Sequence, residues 1–156
     1  MDKKWILSLI VLCTFFLTIS SVSADEMNYQ DFDDYFSMKA PNNIHFEKEI
    51  NKTSENGIDQ LYAAYISENV VVMYINSLAF SNESAVFFYQ SFFEQMNPGS
   101  MECYESQEDN LTILEPVTND GSGLSLVGMS SGNQVLIVAG DDLYTIKAMA
   151  RTAKFN

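Results

Sequence analysis

The chain has 156 residues, 47% of them apolar, and sets 21 acidic against 8 basic side chains for a formal net charge of −13. A polyanion of this kind is repelled by nucleic acid and by anionic lipid surfaces, so nucleic acid is not an expected partner. A disulfide framework is excluded as well, because the only cysteines are Cys103 and Cys13, and Cys13 lies inside an N-terminal apolar run.

The opening "MDKKWILSLIVLCTFFLTISSVSA" has Lys3 and Lys4, an apolar run from Trp5 to Ile19, and small residues ending at Ala24. A basic end, an apolar middle and a small-residue cleavage site predict a secretory signal peptide over 1–24. The run is near the lower limit of about 17 residues for a spanning helix, which makes an uncleaved membrane anchor the rival reading. Against the anchor, "SSVSA" stands where Lys or Arg is wanted. Leu12 before Cys13 does not make a lipidation site. Cleavage leaves 132 residues with 6 basic and 20 acidic side chains, a net charge of −14. That length suits a single domain. The expected location is secreted or in the cell envelope, with a membrane contact only if the N-terminal segment is retained.

Residues 25–35, "DEMNYQDFDDY", show no clean period and read as an irregular lead-in; the single domain is expected over 36–156. "FSMKA" and "HFEKEI" alternate apolar and polar residues, predicting two short strands joined by a "PNN" turn. "NKTSENG" reads as an exposed connection. "IDQLYAAYIS" and "VVVMYINS" are strand-like runs separated by Glu68 and Asn69, a hairpin pattern. The stretch "SAVFFYQSFFEQM" follows with a helical period. Ser81 or Asn82 caps it, Glu83 suits its positive end, and "NPG" at 97–99 stops it. Ala85, Phe88, Tyr89, Phe92, Phe93 and Met96 gather on one face, whereas Phe87 lies among Gln90, Ser91 and Glu94 on the other.

Residues 101–110 fit either a strand start or a charged connection. "LTILEP" predicts a strand, "VTNDGSG" a loop, and "GLSLVGMS" with "QVLIVAG" a hairpin around "SSGN". Asp141 or Asp142 caps a closing helix with Leu143, Ile146, Ala150 and Ala153 inside. Lys147, Arg151 and Lys154 load its C-terminal half with positive charge, which complements the helix dipole.

This order predicts an α+β fold: an antiparallel sheet of about six to seven strands with two main helices packed on it. "FSMKAPNNIHFEKE" resembles the start of a PsbP-like domain, and "NQVLIVAGDDLYTIKAMARTAKF" is similar to that family's close. The resemblance implies a sheet sandwiched between helices, in extracytoplasmic proteins often without catalytic machinery, and a phenylalanine, here Phe155, that packs back after the last helix. Fold does not fix function, and no functional residue of the family is matched here.

The chemistry-bearing residues are few. His45 is the only histidine, with no second ligand at zinc spacing, so it reads as an ordinary strand or surface residue. Cys103 reads as a buried hydrophobe; flanking Glu102 and Glu105 offer no electropositive pocket for a thiolate. No "GxSxG" elbow presents a serine. "NDGSG" at 119–123 lacks the Lys of a phosphate loop and the spaced acids of a calcium loop, and "DFDD" at 31–34 reads as a solvated charge run. No catalytic, cofactor-binding or metal residue is expected, and no cofactor. "NKT", "NES" and "NLT" mark Asn51, Asn82 and Asn110 as N-glycosylation sequons.

The expectation is an exported small binding or accessory module with a protein or small apolar ligand as partner, and Phe87 is the expected contact surface. Two alternatives stand beside it. One is a membrane-anchored surface protein, and the other is a hydrolase using an acidic pair that the sequence does not identify. Burial of Phe87 beneath the lead-in is the competing structural reading of that ring.

Overall fold

The structure is a computed structural model that describes residues 26–55, 58–79, 81–99, 102–118 and 122–156. The segment 1–24, expected as a signal peptide, and parts of the "NKTSENG" and "NDGSG" stretches lie outside the described residues. The chain forms ten strands and two helices among the described residues: β1 Met27–Phe32, β2 Phe36–Pro41, β3 Glu47–Glu55, β4 Ile58–Ile66, β5 Val70–Ser77, α1 Asn82–Met96, β6 Cys103–Glu108, β7 Leu111–Pro116, β8 Ser125–Ser131, β9 Gln134–Gly140, α2 Leu143–Thr152 and β10 Lys154–Phe155. Neither helix is long and apolar enough to cross a membrane.

The fold is an α+β sandwich, mostly sheet. A seven-stranded antiparallel sheet runs in the order β3-β4-β5-β9-β8-β7-β6, and a three-stranded sheet in the order β1-β2-β10. Two meanders, β3-β4-β5 and β6-β7-β8-β9, build the large sheet and meet where β5 pairs with β9. Those central strands are covered on both faces, which is why "VVVMYINS" and "QVLIVAG" are nearly continuous apolar runs rather than alternating ones.

Helix α1 covers one face. Its Tyr89, Phe92, Phe93 and Met96 pack on Met73 and Ile137. The opposite face carries α2 and the small sheet. There β2 alternates cleanly, sending Phe36, Met38 and Ala40 inward and Ser37 and Lys39 outward. Ile146, Met149 and Ala150 of α2 are fully buried in the same layer, with Leu143 and Ala153 only partly so. Phe155 lies 6.3 Å from Tyr74, ring centre to ring centre.

Both helix starts follow the capping logic of their sequences. Ser81 caps α1 in a reciprocal box with Ser84, and Asp142 caps α2 by accepting from Tyr144 N at 3.0 Å and Thr145 Oγ1 at 2.6 Å. The end of α1 is held by Asn97. Its Nδ2 donates to Phe93 O and Leu124 O, and its Oδ1 accepts from Leu124 N at 2.7 Å.

Several expectations are corrected. The lead-in contains β1, which pairs along its whole length with β2. Its alternation is hidden because only Phe32 is buried. "FSMKA" and the strand after it do not form a hairpin: β2 and β3 belong to different sheets, and β3 starts at Glu47. Residues 51–55, expected as a connection, continue β3, since a polar edge strand whose described side chains are at most half-buried carries no apolar signal. The ambiguous 101–110 segment contains β6, the other edge. Cys103, expected to be buried, is exposed at the start of that edge strand.

Candidate contact surface

Phe87 is 75% exposed on a helix whose other rings are buried or half-buried. The lead-in does not cover it. Phe32 of β1 packs in the core layer beneath α2, on the face of the large sheet opposite α1. One turn beyond Phe87, Gln90 Nε2 donates to Glu105 Oε2 at 2.9 Å, tying the flank of α1 to edge strand β6. Phe87 itself, with exposed Glu94, stands on the side of α1 turned away from the sheet.

Elsewhere the charged groups serve the fold. Asp33, at a left-handed turn position with φ 52, accepts from Lys48 Nζ and Tyr65 Oη, both at 2.6 Å. The Lys48 hydrogen bond, then that of Tyr65, holds its carboxyl below the usual range. Burial, reinforced by Asp33, pushes the Tyr65 phenol up. This member of the "DFDD" run therefore joins the small sheet to β3 and β4. Glu108 at the end of β6 binds Lys147 at 2.7 Å and Arg151 at 2.6 Å, and that pair lowers its pKa, Lys147 first. Two of the three basic residues on the closing segment thus clamp the sheet as well as complement the dipole. The third, Lys154, lies 5.4 Å from the Tyr29 ring centre, as does Lys39.

His45 is exposed just before β3. Among the described residues no group of three or more His, Cys, Asp or Glu side chains is arranged to hold a metal ion. Asn51 is half-buried opposite Tyr62 in β3, Asn82 is the first residue of α1, and Asn110 is exposed in the turn between β6 and β7. The structure brings none of these together with Phe87. Sequence reasoning missed the tie of Gln90 to the β6 edge; "CYESQE" is polar enough to read as a connection, and no local signal pairs it with a helix that ends several residues before it.

Comparison with protein-family models, with curated proteins and with solved structures finds no match.

Proposed function

We propose that this chain is an exported binding or accessory module that acts at the cell surface or envelope by contact, with Phe87 as its contact point. The exposure of Phe87 carries the reading: a large ring held in water on a rigid helix that has other rings to spare for the core. The basic, apolar and small-residue order of 1–24 supports export, and the framework resemblance to PsbP-like domains is compatible with it. Replacing Phe87 with Ser removes no core contact, so the melting temperature should stay unchanged while capture of a partner from the host envelope is lost. Capture that survives Phe87→Ser sinks the placement. Export is tested by the mass of the secreted chain, for which an N-terminus at Asp25 is expected; retention of residues 5–19 overturns cleavage.

A further inference from the structure

The turn between β6 and β7 holds an asparagine that the fold does not account for. Glu108 pairs with Leu111, so Asp109 and Asn110 alone make the connection. The left-handed position, where asparagine is favoured for its backbone, is taken by Asp109 with φ 54, and Asn110 is not among the residues of positive φ. Asn110 is exposed, and its side-chain amide makes no hydrogen bond to any described residue. With Leu111 and Thr112 it nevertheless spells an acceptor for N-linked sugar. The other two sequons are placed differently. Asn51 is half-buried within β3 opposite Tyr62, which itself packs against the layer under α1. In the Asn82 sequon the hydroxyl residue, Ser84, is accounted for by the helix cap: its Oγ accepts from Ser81 N at 2.8 Å and donates to Ser81 O at 2.9 Å.

We infer that Asn110 is a glycosylation site, modified as the chain crosses the exporting membrane, with a lipid-phosphate-linked oligosaccharide as the sugar donor. This rests on the export reading. In the transfer the Asn110 amide nitrogen bonds to the anomeric carbon of the first sugar and gives up one proton. The bond from that carbon to the phosphate oxygen breaks, and its electron pair leaves with the lipid phosphate. The timing follows from Thr112. It is buried in β7, and its Oγ1 accepts from Gln107 Nε2 at 3.0 Å across the β6–β7 pair. The hydroxyl that completes the sequon is withdrawn once the hairpin closes, so the transfer precedes that closure. A glycan is bulky and needs a surface position in the finished fold. The hairpin tip supplies one, since a sugar there grows outward and displaces no core side chain. On Asn51 it would have to grow from between the side chains of a paired strand, against Tyr62.

The test is peptide-resolved mass spectrometry of the full chain isolated from the cells that encode it. The peptide holding Asn110 should carry the added mass of hexose or aminohexose residues, and the peptide holding Asn51 should not. Asn110→Gln should remove that mass without loss of secreted yield, because the amide has no partner in the fold and the position needs no left-handed backbone. Thr112→Val, close in size, should remove it as well, whereas Thr112→Ser, which keeps the hydroxyl, should retain it. An unmodified Asn110 on a chain that starts at Asp25 overturns the site and leaves export standing. A modified Asn110 on a chain that keeps residues 1–24 leaves the site standing and overturns cleavage. An unmodified chain that keeps residues 1–24 inside the cell overturns both. Sugar mass on that peptide that survives Asn110→Gln, or sugar on Asn51 with none on Asn110, also overturns the inference.

Discussion

Asn97 and Tyr89 show opposite outcomes for a polar group in the same core layer. Asn97 is 7% exposed and uses both ends of its amide, so that the end of α1 and the loop before β8 share one side chain. Asn97→Ala strips partners from Leu124 N and Leu124 O at once, and a loss of about 2–3 kcal/mol in denaturant unfolding is expected. Tyr89 is 2% exposed, and its hydroxyl makes no hydrogen bond of acceptable geometry. Burial pushes the phenol up to about 12, and a hydrogen-bonding contact with Ser130, short of full geometry, acts the other way. Tyr89→Phe therefore removes a desolvation cost and only a poorly aligned contact with Ser130, and stability should hold or rise by up to about 1 kcal/mol. A loss comparable to that of Asn97→Ala would show that the hydroxyl is bonded. Gly128 supplies the room for this ring: a Cβ there would stand 2.6 Å from Tyr89 Cε1. Gly128→Ala should cost about 1–3 kcal/mol, with the loss largely relieved in the double variant Gly128→Ala, Tyr89→Leu.

Among the elements, the β1–β2 turn is latched to the large sheet by a carboxylate, and this makes its attachment sensitive to acid. Asp33 is held below its ordinary value by Lys48 and Tyr65. A carboxyl whose folded pKa is lowered contributes stability that is present above the unfolded value and disappears as pH falls through the folded one. The loss therefore begins near pH 4 and continues downward, with no change expected near neutrality. Asp33 is solvent-screened, so the effect amounts to a few tenths of a kcal/mol. Asp33→Asn should flatten that part of the acid limb in melts taken across the window, and Tyr65→Phe should return the Asp33 carboxyl toward its ordinary value by NMR titration. An Asp33 titration unmoved by Tyr65→Phe would mean the phenol is not its partner. The elements also differ in how legible they are in the chain. The central strands and both helices are readable because burial on a face imposes a period or an unbroken apolar run. Strand β1, residues 51–55 of β3, and β6 are not, because their exposed residues are chosen by solvent, and only pairing with β2, β4 and β7 makes them strands. For the same reason Phe87 stands out as a misfit in its helix, while the β6 edge, tied to that helix through Gln90, stays hidden.

Taken as a whole, the molecule opposes many like charges with few pairs. Among the described residues three ion pairs are formed by Lys48, Lys147 and Arg151, all at least partly exposed. Exposed pairs contribute about 0–1 kcal/mol each and weaken in salt. Against them stands a net charge of −13 on the whole chain, whose self-repulsion is screened over about 8–10 Å at moderate ionic strength. The repulsion involves far more charges than the three pairs, so its screening outweighs their weakening. Raising salt from about 0.02 M to about 0.3 M should therefore raise the melting temperature. A melting temperature that falls with salt would mean the local pairs at Asp33 and Glu108 dominate the global charge, and the acid-sensitive latch would then be the larger electrostatic contribution to this fold.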